Sequence, residues 1–402
     1  MNPTRIATAA LALAASIAAA ASADDVRWKK HDINPKSVFE GAGVLDVDND
    51  GKLDIVSGES WYNAPDWTKY PVRKVEKVGS YRNDFATMPV DVNADGNIDF
   101  VTVSYFGRDI GWVENPGKKG AEWTYHLIDK PGSSEAAVML DVDGDGKLDF
   151  LPNSTNVVVW YSLETAGSKP VFKKHDFGTA AAGHGVGTGD VNGDGRADLL
   201  TPKGWFEAPS DPKTEGTWAW HPEWNLGATG IQILARDVDG DGLSDLIYGM
   251  GHNFGLYWQK QGKDEKGNRT WTKAPIDETL SSVHTLLWAD LDGDGKANEM
   301  ITGKRVYAHE IEAGDVQAPV IAYFTFDQAG KKWDKHLIYQ GEPAKDAPKE
   351  GGKRDAQKDF APGTAGTGLE IAAVDIDKDG DIDLVCPGKS GLYLFENLTK
   401  SK

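Results

Sequence analysis

The chain has 402 residues, a formal net charge of −19 and a single cysteine, Cys386. That acidic balance excludes a nucleic-acid partner held by a basic face, and one cysteine excludes an intrachain disulfide. A chain of this length can bury a core large enough to do without one; Cys386 follows the apolar run Ile382–Val385 and reads as a small buried hydrophobe.

At the start, Arg5 precedes an apolar, small-residue run from Ile6 to Ala20, and Ala21-Ser22-Ala23 forms an A-x-A cleavage site. This is the pattern of a secretory signal peptide, residues 1–23, too short and too rich in alanine for a membrane span. The mature domain, residues 24–402, is therefore expected to be periplasmic or secreted. No second apolar run of spanning length follows, and loss of the leader removes only one charge, that of Arg5.

From Asp46 onward one pattern, D-x-[DN]-x-D-G-x-x-D, recurs seven times. The first copy places ligand-type side chains at Asp46, Asp48, Asp50 and Asp54, and the second at Asp91, Asn93, Asp95 and Asp99. The third has Asp141, Asp143, Asp145 and Asp149; the fourth Asp190, Asn192, Asp194 and Asp198; the fifth Asp237, Asp239, Asp241 and Asp245. The sixth has Asp290, Asp292 and Asp294, with Asn298 at the last position and Glu299 beside it. The seventh has Asp375, Asp377, Asp379 and Asp383. The first five spacings are 45, 50, 49, 47 and 53 residues, one four-stranded propeller blade each. The last is 85, so the sixth interval carries an insertion.

Carboxylates at alternate positions of a tight turn converge on one hard cation, and glycine at the sixth position permits the reversal. An EF-hand would need a glutamate at position twelve and flanking helices. Here the flanks are strand-like, Phe39–Leu45 before the first loop and Leu53–Val56 after it. Up to seven structural Ca²⁺ ions are expected, which would offset about 14 negative charges. The alternative, metal-free Asp-Gly hairpin turns, leaves seven acid sets of the same internal spacing unexplained.

Each loop is followed by further recurring strands. An aromatic one comes first (WYNAP at Trp61, GWVENP at Gly111, GWFEAP at Gly204, GLYLFEN at Gly391), then an outer one such as WTYHLID at Trp123 or WDKHLIY at Trp333. A blade thus runs strand A, loop, strand B, strand C, strand D. The chain ends on a C strand, and Val26–Ile33 reads as the missing D strand that closes the ring and removes exposed edges. The fold class is all-β: a seven-bladed β-propeller.

These repeats resemble the FG-GAP/VCBS repeat family over essentially the whole mature chain, which implies a β-propeller with calcium in the loop. The stretches GHGVGTGDVNGDGRADLLTPKGWFEAP and HTLLWADLDGDGKANEMITGKRVYAH resemble bacterial VCBS proteins similar to the propeller part of aldos-2-ulose dehydratase. The cupin domains found there are missing. That likeness implies a sugar dehydratase or lyase.

Because strand A runs to the loop and strand B returns, the D–A and B–C connections share the opposite face. Strand A begins there at Glu40, Phe85, Glu135, His184, Ile231, His284 and Leu369, with Asp84, Gln232 and Glu370 alongside. The B–C connections add Glu59, Arg108, Lys203, His252, Asn253, Lys304, Arg305, His309 and Lys389. Of the nine histidines, His31, His126, His175, His221 and His336 recur in outer strands and read as structural, with a blade-to-blade hydrogen bond expected. His184, His252, His284 and His309 share no repeat position and map to the mouth of blades four to six. The candidate catalytic set is His184, His284, His252, Lys203, Lys304 and Arg305. His184 or His284 would be the base, the cations would stabilise a developing anion, and one transition metal would be held with His252. Against this stands a polar mouth with solvated imidazoles. Gly341–Gly366 would hang over the mouth as a lid or form a plain surface loop.

Two function classes follow. One is an exported carbohydrate-active enzyme, a sugar dehydratase or lyase eliminating from a small sugar or polysaccharide. The other is a non-catalytic, calcium-stabilised propeller binding carbohydrate or protein. No membrane span and no oligomeric state follow from the sequence.

Overall fold

Short β-branched and aromatic runs between Asp-Gly turns build seven four-stranded antiparallel sheets. The computed structural model describes residues 26–166, 169–214, 218–309, 312, 314–344 and 354–400; the leader expected at 1–23 lies outside them. From innermost to outermost strand, blade 1 runs from Gly43–Leu45 to Thr68–Pro71, blade 2 from Met88–Val90 to Thr124–Asp129, and blade 3 from Ser134–Leu140 to Lys169–Asp176. Blade 4 runs from Gly187–Gly189 to Ala219–His221, blade 5 from Thr229–Arg236 to Arg269–Ser281, and blade 6 from Leu286–Ala289 to Lys332–Gln340. The seventh sheet takes Ala372–Val374, Asp383–Gly388 and Gly391–Asn397, then Trp28–Asn34 from the start of the chain. Trp28 pairs with Asn397 and Asn34 with Leu392. The molecule is a seven-bladed β-propeller. Among the described residues no helix is long and apolar enough to cross a membrane.

Strand B is buried along its whole length in blades 1, 2 and 6, at Asp54–Ser57, Asp99–Val103 and Glu299–Gly303. It is covered on both faces by neighbouring blades, so it reads as a continuous apolar run rather than an alternation. Trp61, Trp160 and Trp205 from the C strands fill the seams between sheets.

The seven loops share one geometry. Their sixth-position glycines, Gly51 to Gly380, hold φ between 84° and 96° or just below, at 82° and 83°. The first-position carboxylate caps the turn: Asp46 accepts from the N–H of Asp50 at 3.1 Å and of Gly51 at 2.8 Å. The ninth-position acid turns inward. Asp54 is fully buried and accepts from the N–H of Val47 at 3.0 Å and of Ala64 at 2.8 Å, tying loop to strand C. In blade 6 this knot is tied by Glu299, whose Oε2 accepts from the Leu291 N–H at 2.9 Å. Asn298, where the repeat places its last ligand, is exposed; the loop is one residue longer and the longer glutamate reaches back.

His31, His126 and His221 bond within their own blade. His126 stacks on Trp112 at 4.3 Å and meets Glu114 at 2.8 Å, and His221 does the same with Trp205 and Glu207. The blade-to-blade link comes instead from amides at the end of strand C. Asn115 donates to the Val47 carbonyl at 2.9 Å, Gln261 to Val191 at 3.1 Å and Asn397 to Leu291 at 2.9 Å.

Two insertions reach the mouth. Lys77–Val78 and Tyr81–Arg82 form a small extra hairpin between blades 1 and 2. Part of the expected lid, 345–353, lies outside the described residues. Its remaining portion is anchored: Ala356–Asp359 forms a helical turn capped by Asp355, and Gln357 donates to the carbonyls of Ser37 and Lys389.

Candidate active site at the channel mouth

Three of the nine non-glycine residues with positive φ among the described residues border the site. Ala136 (φ 69°) sits in a bulge of strand A of blade 3, Ser282 (φ 53°) precedes His284 by two residues, and Tyr307 (φ 57°) follows Arg305 by two. Such bulges re-aim the adjacent side chain, and residues held in this region of backbone space gather at functional sites.

Arg305 is the hub. From blade 6 its Nε donates to Glu40 Oε1 at 2.7 Å and its Nη2 to Glu40 Oε2 at 3.0 Å, on blade 1. Its Nη1 donates to Glu135 Oε1 on blade 3 at 2.6 Å and to His284 Nε2 at 2.9 Å. The guanidinium is fully buried and spans the mouth. Burial alone would raise the Glu135 carboxyl, but Arg305 and His184 beside it hold it well below the usual range, so it stays ionised.

Each imidazole has one nitrogen fixed by an acceptor. His184 Nε2 is 3.2 Å from Glu135 Oε2, and its Nδ1 is buried without a partner. His284 is fully buried; Nδ1 faces the Ser282 carbonyl at 3.2 Å and Nε2 faces Arg305. Burial, then the charge of Arg305, keep its pKa well below 6.5, so the ring is neutral. His252 Nδ1 lies 3.0 Å from Glu312 Oε2, and its ring stacks on His309 at 4.7 Å. His309 Nδ1 meets the Tyr81 hydroxyl at 2.9 Å. Gly251 keeps this floor open: a Cβ there would stand 2.7 Å from the Thr229 carbonyl and 3.4 Å from atoms of both His184 and His284.

All four unrepeated histidines therefore meet at one place. One nitrogen from each of His184, His252 and His284 lies within 4.8 Å of the others, and so do ligand atoms of His252, His309 and Glu312. The three cations do not join them as an anion-binding group. Arg305 spends its donors on Glu40, Glu135 and His284. Lys304 points to the carbonyls of Arg305 and Asp315, and burial lowers its pKa to about 8. Lys203 is exposed beside the Ala180 carbonyl. Glu135 and Glu40 were visible in the sequence as strand starts in register with His184 and His284, and that shared column was the signal for their part in the site. Glu312 and Tyr81 gave no local signal.

At the opposite end, donor oxygens of Asp46, Asp48 and Asp50 lie within 4.8 Å of one another, as do those of Asp141, Asp143 and Asp149 and of Asp237, Asp239 and Asp241. Lysines lean on these three loops: Lys119 on Asp48 at 2.7 Å, Lys213 on Asp143 at 3.0 Å, and Lys260 on Asp239.

Residues 91–151 and 237–298 match the family model described as FG-GAP-like repeat. The chain carries FG-GAP-like repeats. Each matched span opens on the first aspartate of a loop, so the FG-GAP-like unit and the metal-type turn begin together. No curated protein matches the chain by sequence. Among solved structures it is similar to an Agrocybe aegerita lectin recognising terminal N-acetylglucosamine (19% identity, 74% of this chain and 79% of that one, TM-score 0.43). It is also similar to an exotype rhamnogalacturonan lyase (12%, 92% and 72%, TM-score 0.48) and to virginiamycin B lyase from Staphylococcus aureus (10%, 92% and 99%, TM-score 0.48). Likeness at this level carries nothing about activity.

Proposed function

We propose that this propeller is an exported carbohydrate-active lyase that works by β-elimination at the channel mouth, on a scaffold stabilised by calcium in its Asp-rich loops. The observation that carries the reading is the state of His184. Its Nε2 is tied to an ionised Glu135, which leaves the lone pair on the buried, unpartnered Nδ1. That is the tautomer of a general base.

His184 Nδ1 takes the proton α to a sugar carbonyl or carboxylate. The electron pair of that C–H bond becomes the second bond of a new C=C, and the C–O bond on the neighbouring carbon breaks. The departing oxygen leaves as water or alcohol after taking a proton from the imidazolium or solvent. Glu135 stabilises the imidazolium, and Arg305 keeps Glu135 ionised and in place. His284, buried with both nitrogens engaged, positions Arg305 rather than serving as the base. His252, His309 and Glu312 would hold a divalent transition metal, which supplies Lewis-acid stabilisation of the enolate when bound. The loop carboxylates, alternating on tight turns, suit Ca²⁺.

The test is turnover, read as unsaturated product from a sugar panel, for wild type and His184→Ala. The variant is expected to keep substrate affinity and lose about a hundredfold or more in kcat. Undiminished turnover in His184→Ala overturns the assignment. Saturable sugar binding with no turnover in wild type marks a binding propeller instead.

A further inference from the structure

The extra hairpin between blades 1 and 2 belongs to no repeat, yet it closes on the histidine cluster. Its strands, Lys77–Val78 and Tyr81–Arg82, turn through Gly79 at φ 61°, and the Asn83 N–H donates to the Glu76 carbonyl at 2.9 Å. Three neighbours fix the Tyr81 ring. Phe106 lies at 5.8 Å, the Lys389 ammonium stands 4.8 Å from the ring centre, and His309 meets it edge-on at 6.3 Å. Lys389 is itself held, donating to the Tyr307 carbonyl at 2.6 Å. The Tyr81 hydroxyl thereby reaches His309 Nδ1 at 2.9 Å, across 228 positions of sequence.

The other nitrogen of His309 faces the acid. Nε2 is 3.9 Å from Glu312 Oε1, while His252 Nδ1 is 3.0 Å from Glu312 Oε2. Two ligand atoms each about 2.1 Å from one ion stand at most about 4.2 Å apart, so both separations suit pairs bound to a single cation. An imidazole that gives Nε2 to a metal carries its hydrogen on Nδ1. That N–H needs an acceptor, and the Tyr81 oxygen stands in place to accept it. The His309 side chain is 47% exposed, so burial does not fix it. Stacking on His252, with the ring planes 2° apart, tolerates a ring flipped about its Cβ–Cγ bond. The hydrogen bond to Nδ1 does not.

We infer that Tyr81 is a positioning residue for a metal centre at His252, His309 and Glu312: its hydroxyl locks His309 in the tautomer and orientation that offer Nε2 to the ion. This rests on the metal reading given above and adds the residue that sets the strength of that site. Outer partners of this kind orient the ligand and raise its basicity, and losing one costs about ten- to a hundredfold in metal affinity.

The experiment is calorimetric titration of Zn²⁺ into the calcium-loaded protein, for wild type, Tyr81→Phe and His309→Ala. Wild type is expected to take up one Zn²⁺ at the mouth, and His309→Ala to lose it. Tyr81→Phe keeps the ring beside Phe106 and Lys389 and removes only the hydroxyl. It should bind Zn²⁺ about tenfold or more weakly, while the melting temperature of the zinc-free protein stays that of wild type. Unchanged Zn²⁺ affinity in Tyr81→Phe overturns the inference and leaves the metal site standing. A lowered zinc-free melting temperature in Tyr81→Phe would make the hydroxyl a packing group and overturn it as well. Zn²⁺ binding that survives His309→Ala, or none in wild type, removes the metal site and the inference together.

Discussion

Arg305 and Glu135 meet at 2.6 Å although they stand on blades 6 and 3. A single guanidinium joins sheets that share no edge, and Glu40 draws blade 1 into the same contact. Removing it strands two carboxylates in a dry site. Arg305→Ala is expected to cost about 3–5 kcal/mol in urea unfolding, because breaking a buried pair leaves an uncompensated charge. Arg305→Lys should recover only part, since it keeps the charge and loses the fork. A loss below about 1 kcal/mol would show that the mouth relaxes around the missing group.

Glu370 makes the opposite case. It lies on the channel wall with Oε2 accepting from the Thr87 N–H at 3.3 Å and Oε1 buried without a partner. Burial pushes its pKa well above 4.5. The folded protein thus prefers the protonated acid, and stability falls as pH rises above the unfolded value toward the raised folded one. Glu370→Gln should leave the melting temperature nearly unchanged at pH 4 and raise it at pH 8. An identical shift at both pH values would mean the carboxyl is ionised throughout.

The knot in blade 6 separates two neighbouring residues. Glu299→Ala leaves the Leu291 N–H buried and unpaired, and is expected to cost about 1–3 kcal/mol. Asn298→Ala should stay within about 0.5 kcal/mol. Chemical denaturation of the two variants decides between them, and the reverse order would restore Asn298 to the repeat.

That residue pair also shows what could be read from sequence. The seven blades, the loops and the place of the N-terminal strand were legible because each repeats at nearly constant spacing, and the positive-φ glycines fall where the turn requires them. The gathering of four unrepeated histidines was legible because propeller topology maps strand ends onto one face. What Arg305 does was not. Its partners lie 265 and 170 residues away in the chain, and only the folded ring decides that it ties blades instead of meeting a substrate. Nor was the direction of Lys304: it lies just past the end of strand B, and its ammonium turns to the carbonyls of Arg305 and Asp315.

Calcium should matter to stability more than to the fold. An ion that binds only the native state adds about 2.7 kcal/mol per site at a hundred times its dissociation constant. Chelation is expected to lower the melting temperature, and Asp46→Ala should remove one calcium per chain by elemental analysis. Loops 1, 3 and 5, where a lysine already leans on the third-position carboxylate, should release their ions first in a graded chelator titration. A melting curve indifferent to chelator would count against calcium in every loop.

Trp28–Asn34 has its partner at Gly391–Asn397, at the far end of the chain. During synthesis the first strand therefore waits, unpaired, until the last one has left the ribosome. Six blades can form in order of translation, but the seventh joins strands whose hydrogen-bonded side chains His31 and Glu396 lie 365 positions apart. Linking the two ends and cutting elsewhere, in any D–A connection, would turn that joint into an ordinary hairpin and let every blade fold as it emerges.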